Sequence, residues 1–200
     1  MYDTYIILIM SRKISKDKII KAAVSVFAEK GFDLATMDEI AKRSELSKGT
    51  IFLYFEKKDE LIKQIAMLSI PYDVVEETLS GKYESAEEML YDFGKKFMDK
   101  YKDSEMRSLL MMTIGNKRRY EVIKSKLKSV CMDKIDEFFK KVEELSGVEI
   151  PFTLRRSFFG ALLCYLIWWE DNPLDPEEYV RQLSKTVLMS VRRERGDARS

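Results

Sequence analysis

The sequence predicts an all-α protein of about nine helices, an N-terminal three-helix domain with a helix-turn-helix followed by a larger helical domain. Three observations predict it. Apolar residues recur at helical spacing along most of the 200 residues. No stretch sustains the period-two alternation of a half-buried strand. Capping and breaking residues (Ser15, Gly31, Thr36, Ser47, Pro71, Gly147, Pro151, Pro173 and Pro176) fall where those runs start or stop. With 46% hydrophobic residues, the chain can fill a real core.

The elements follow in order. Ser15 is expected to cap a first helix through Ile19, Ile20, Ala23, Val24, Val26 and Phe27, with Gly31 as its left-handed stop. Thr36 followed by Glu39 is a capping box opening a short helix that ends near Ser44. Ser47 caps a third helix, Lys48 to about Phe55. Only Glu45 and Leu46 intervene, so the third helix leaves the second at a steep angle. A fourth helix starts near Asp59 and runs to Ile70, with Pro71 kinking or ending it. Beyond it the pattern predicts helices over about Ser85–Tyr101, Ser104–Ile114, Lys117–Leu145, Pro151–Trp169 and Pro176–Arg193, with Pro151 and Pro176 suited to first-turn positions. The expected domains are 11–58 and 59–200.

Composition narrows function. The 35 basic and 34 acidic side chains nearly cancel, but Ser11 to Lys58 carries eleven Lys or Arg against seven Asp or Glu, and the rest of the chain has no such surplus. There is no histidine, which removes the commonest general base and metal ligand. The chain also lacks a Gly-rich phosphate loop. No enzyme activity, metal or cofactor is expected. Cys131 and Cys164, without a CxxC pair, indicate neither a disulfide framework nor a zinc site, and the chain reads as cytoplasmic. The apolar run Tyr5–Met10 is too short for a membrane span. It reads as sequence ahead of a natural start at Met10, or, less favoured, as an arm packing on the first helix.

The segment TMDEIAKRSELSKGTIFLYFEKKDEL, Thr36 to Leu61, carries the function. Ala41 is small where two helices cross. Met37, Ile40, Leu46, Ile51 and Phe55, with Phe27, can fill a mini-core that holds the third helix out as a rigid projection for a major groove. At its tip Ser47, Lys48, Gly49 and Thr50 combine hydroxyls, a cation and a residue without a side chain, so a phosphate or base edge can approach closely.

This segment, with AAVSVFAEKGFDLAT before it, resembles the DNA-binding domain of the TetR family of bacterial and archaeal regulators. The family pattern is matched by Thr36, Ser47, Gly49, Thr50, Ile51, Phe52, Tyr54, Phe55, Lys58, Asp59, Glu60 and Leu61. The resemblance covers about Ile19 to Leu61. It implies phosphate contacts from Thr36, Ser47, Thr50, Tyr54 and Lys58, and base or groove contacts from Lys48, Gly49, Phe52 and Leu53; Arg43 is a further backbone candidate. Phe52 stands where many members have Tyr or His, so contact with thymine methyls replaces a hydroxyl contact.

In the second half the helix from Pro151 to Trp169 is apolar nearly all round and must be covered on more than one side. The resemblance implies a homodimer through the last two helices, with Phe158, Leu162, Tyr165, Trp169, Val180, Leu183, Val187, Leu188 and Val191 as candidates, and hence a pseudo-palindromic operator. Between Ser85 and Leu145 the apolar positions are rich in Met and aromatics. Met89, Phe93, Phe97, Met98, Tyr101, Met111, Met112 and Phe138, with Trp168, are the expected lining of a pocket for a small apolar effector. Cations at Lys117, Arg118, Arg119, Lys124, Lys126 and Lys128 can meet an anionic head group such as that of a fatty acyl-CoA, or form a solvated helix face.

The function implied is a transcriptional repressor released from operator DNA by that effector. An activator on the same fold, a helix-turn-helix used only for protein contacts, and a helical lipid or small-molecule carrier are the alternatives. Two asparagines, two glutamines and abundant Lys and Glu also point to a hot habitat; a melting midpoint near about 50 °C, where mesophilic domains cluster, contradicts that reading.

Overall fold

A computed structural model describes residues 2–197 of the chain, with side chains for residues 13–190. Every regular element among them is helical, as the periodicity predicts: α1 (Tyr2–Leu34), α2 (Met37–Ser44), α3 (Lys48–Tyr54), α4 (Lys58–Ser69), α5 (Tyr72–Ser80), α6 (Ala86–Lys100), α7 (Ser104–Gly115), α8 (Glu121–Lys128), a π-helical turn (Ser129–Lys134), α9 (Ile135–Ser146), α10 (Phe152–Ile167) and α11 (Pro176–Asp197). No helix among the described residues is long and apolar enough to cross a membrane.

Two compact units result, one of the chain up to Ile70 together with Asp103–Lys126, the other of Pro71–Lys102 and the chain from Leu127 onward. In the first unit α1 packs on α2, α4 and α7. Ile19, Ala23, Phe27, Ile40, Ile51, Leu61, Ile62 and Ile65 are fully buried there. Glu105 accepts a hydrogen bond from the Ser25 hydroxyl (2.6 Å), and the buried hydroxyls of Ser69 and Thr113 join α4 to α7 (2.8 Å). In the second unit α6 packs on α5, α9, α10 and α11. Its core is an aromatic cluster in which Phe93 meets Phe138 and Phe159 at ring separations of 5.0 Å, and Phe158 and Phe159 lie edge to face at 5.5 Å.

Several helix ends form as expected. Ser85 accepts from the Glu88 N–H (3.1 Å) and Gly147, at φ 67°, closes α9. Three expectations are corrected. Ser15 is not a cap, because the helix is already running from Tyr2 when it reaches that residue. The helix expected from Lys117 starts at Glu121 and is interrupted by the π-turn, where the Arg156 guanidinium donates to the Cys131 carbonyl. Pro71 ends α4, and α5 then follows, unforeseen: its Val74, Val75 and Thr78 are poor intrinsic helix formers, but they and Leu79 are buried, and packing outweighs propensity over so short a segment. The side chains of Tyr5–Met10 lie outside the described residues.

Gly94 on α6 is where α11 comes closest. A Cβ built there would stand 2.5 Å from Cγ1 of Val180, nearer than packed carbons tolerate. Gly94→Ala should therefore destabilise the protein by about 1–3 kcal/mol in urea unfolding. Adding Val180→Ala should recover part of the loss, a non-additivity that mere loss of glycine flexibility would not produce.

Candidate nucleic-acid interface

The helix-turn-helix is assembled by caps. Thr36 and Glu39 form the full capping box, the Thr36 N–H donating to Glu39 Oε2 (3.1 Å) and the Glu39 N–H to Thr36 Oγ1 (3.2 Å). Lys30 of α1 pairs with the same carboxylate. That ammonium, then the Thr36 N–H and hydroxyl, hold the Glu39 carboxyl below its ordinary value of 4.5, and the Arg43 guanidinium does the same for Glu29. Both groups titrate lower folded than unfolded, so these contacts are fully present above that value and fade as pH falls below it. The turn itself places Glu45 in the left-handed region, φ 57°, with the Leu46 N–H donating to the Ala41 carbonyl (3.2 Å). Ser47 caps α3 by accepting from the Thr50 N–H (3.0 Å), and its hydroxyl meets that of Thr50 (2.8 Å).

Burial divides α3 cleanly. Ile51 and the following Phe55 point inward with Ile40, Ala41 and Phe27, whereas Met37 and Leu46 are half-buried. Lys48, Gly49, Phe52 and Leu53 face solvent; Thr50 and Tyr54 lie between. Leu53 is 85% exposed. A large apolar side chain so bare, beside exposed Phe52 on one short helix, is surface held ready for contact.

The charged candidates are engaged inside the unit. Lys48 pairs with Asp38 at 2.7 Å, with both side chains more than half exposed, a contact that costs little to exchange for a phosphate. Arg43 grips Glu29 of α1 with both terminal nitrogens, and this pairing raises its own pKa. Lys58 donates to the main-chain carbonyls of Asp33 and Ala35, both at 3.0 Å. The structure thus gives Lys58 a capping role that the motif did not announce.

Sequence reasoning missed Asp33, whose carboxylate pairs with Arg119, and Asp59, which accepts from the Tyr120 hydroxyl (3.3 Å). Partners 86 and 61 residues away leave no trace in local pattern. Desolvation, then Asp59, pushes the pKa of buried Tyr120 upward.

The predicted effector residues are only partly brought together. Met89, Phe93, Phe97, Met98, Tyr101 and Phe138 are all buried in the second unit. Met111 and Met112 belong to the first unit on α7, and Trp168 is 57% exposed. Of the cations, Lys117 to Lys126 fall in the first unit and Lys128 in the second. The dimer candidates Phe158, Leu162, Tyr165, Val180 and Val187 are buried within one chain, because α10, which carries the first three, packs on α6, α9 and α11, and α11, which carries the other two, packs on α6 and α10; Trp169, Leu183 and Leu188 are half-buried, and the side chain of Val191 lies outside the described residues. What α10 leaves bare is Phe152, Thr153, Ser157, Gly160, Cys164, Ile167 and, just past its end, Trp168. Among the described residues no cluster of acidic or cysteine side chains could hold a metal ion.

Residues 19–65 match the family of bacterial regulatory proteins called tetR. By this match residues 19–65 form a domain of the TetR N-terminal type. Over 67 residues it is 39% identical to the uncharacterized HTH-type transcriptional regulator YvdT of Bacillus subtilis, covering 32% of this chain and 34% of that one. Over 57 residues it is 37% identical to IcaR of Staphylococcus aureus, a negative transcriptional regulator of the biofilm operon icaADBC, covering 28% and 31%. The matched region thus spans about a third of the length of these TetR-type relatives. The fold likeness reaches further: the structure of the transcriptional regulator FadR from Bacillus subtilis in complex with stearoyl-CoA aligns with a TM-score of 0.65 at 22% identity, over 88% of this chain and 97% of that one.

The capping role of Lys58 is directly testable. Lys58→Met keeps the aliphatic stem but leaves two carbonyls without their donor, and should cost about 1–3 kcal/mol in urea unfolding in the absence of DNA. A lysine that served only a phosphate would show no such loss.

Proposed function

We propose that this protein is a DNA-binding transcriptional repressor that acts as a homodimer on a pseudo-palindromic operator and is released by a small apolar effector of the fatty acyl-CoA class. The observation that carries the reading is the outward face of α3: Lys48, Gly49, Phe52 and Leu53 exposed on a helix anchored by Ile51 and Phe55 and flanked by the hydroxyls of Ser47 and Thr50. A protein-only or carrier role gives no reason for that face. The bare side of α10 supports a second subunit. The Met and aromatic core of the second unit supports an apolar ligand, as does the fold likeness to a regulator solved with stearoyl-CoA. Repression follows the likeness to IcaR, a negative transcriptional regulator. An effector acts by favouring a conformation in which α4 shifts and the two recognition helices no longer match their half-sites. The coupling is limited to its differential affinity for the two states.

The test is binding to a labelled duplex from the region upstream of the protein's own gene, across a salt series, with a scrambled competitor. Wild type should prefer its own duplex and weaken with salt. Phe52→Ala should lower the preference roughly tenfold, within the range of about 1–3 kcal/mol expected of a base contact. Lys48→Ala should lower the preference as well, since Lys48 is a base or groove candidate on the same face. Stearoyl-CoA should release the complex and raise the melting temperature of the free protein. No preference for any genomic fragment overturns the regulator reading; release by no acyl-CoA overturns the effector class alone.

A further inference from the structure

The turn between α7 and α8 carries three consecutive cations, Lys117, Arg118 and Arg119, all exposed, which the helix-turn-helix does not account for. The turn is held firmly. Asn116 closes α7 by donating both its N–H and its side-chain amide to the Met112 carbonyl (2.9 Å each), and the Arg119 N–H donates to the Asn116 carbonyl (3.0 Å). Arg119 then pairs with Asp33, and the Tyr120 hydroxyl reaches Asp59. Asp33 lies three residues before Thr36 and gives its carbonyl to Lys58; Asp59 follows Lys58 directly. The turn is therefore fixed to the corner where α1 ends and α2 and α4 begin, the corner that presents Thr36.

Arg119 is consumed in this attachment. Among the described contacts no carboxylate pairs with Lys117 or Arg118, and at about 3.8 Å per residue both stand within roughly 8 Å, Cα to Cα, of Arg119. We infer that Lys117 and Arg118 are an accessory DNA contact, gripping the sugar-phosphate backbone alongside the groove that receives α3; this rests on the DNA-binding reading above. The attachment of this turn to the corner that presents Thr36 favours DNA over the anionic head of an effector. Contacts of this kind are read as charge, without regard to sequence.

The experiment compares the full-length protein with Lys117→Gln/Arg118→Gln in anisotropy titrations on the upstream duplex and on the scrambled one, across a salt series. The expected result is a fall in the slope of log affinity against log salt of about one to two, since each lost phosphate contact removes about 0.9. Affinity should fall for both duplexes by the same factor, with an unchanged melting temperature; each single variant should show about half the change in slope. Wild-type binding with an unaltered slope in the variants overturns the accessory contact and leaves the regulator reading standing. The same unaltered slope with lost stearoyl-CoA binding also overturns it and assigns the cations to an effector. Failure of the wild type to bind either duplex overturns the regulator reading and this inference with it.

Discussion

Lys58 gives two of its ammonium hydrogens to main-chain carbonyls, those of Asp33 and Ala35, and the corner from which α2 and α4 set out depends on that exchange. The need for it arises where α1 ends at Leu34, just before Thr36 caps α2, because the last carbonyls of a helix have no partner farther along it. Because the donor that satisfies them begins α4, the end of α1, the start of α2 and the start of α4 are tied at one point. Asp33 adds a third strand to the knot through Arg119.

The same knot explains why Asp103–Lys126, with α7, belongs to the first unit although the chain on either side of that segment belongs to the second. Ser25 with Glu105, Ser69 with Thr113, Arg119 with Asp33, and Tyr120 with Asp59 attach residues from Glu105 to Tyr120 to α1 and α4, each at two points. The exposed ion pair among these is worth little, whereas the fully buried Ser69–Thr113 contact leaves two polar groups without water if it is separated. Polar contacts inside a low-dielectric interior favour a discrete arrangement over a continuum of nearby ones.

Much of this was legible in the sequence where the physics is local. The capping box at Thr36 and Glu39, the cap at Ser47, the stops at Pro71 and Gly147, and the burial of Ile40, Ile51 and Phe55 all follow from residues within one or two turns of each other. The outward face of α3 was legible too, since its neighbours fix which side is buried. What was not legible depends on distant packing. The short α5 forms because Val74 and Val75 are covered, and Ser15 fails as a cap because helix extends on both sides of it. Lys58, read by its place in the motif, is spent on carbonyls more than twenty residues earlier. On α10 an almost uniformly apolar sequence carries no sign of which face meets its own chain, and only tertiary structure separates buried Phe158 and Leu162 from bare Ile167 and Trp168.

The π-turn at Ser129–Lys134 has a bearing on how this chain is compared with others. Buried positions run Leu127, Val130, then Ile135, Phe138 and Phe139: steps of three, then five, then three and one. An uninterrupted α-helix would place the residue after Val130 three or four positions on, so one residue is surplus, and without the wider turn it would rotate everything downstream by about 100°. The surplus is absorbed within the helix, where Arg156 occupies the displaced Cys131 carbonyl and lies 4.6 Å from the Phe152 ring centre. A relative that is one residue shorter here keeps the same faces with an ordinary helix. The alignment gap between two such chains then belongs in the middle of a helix, where gap penalties borrowed from loops would never place it.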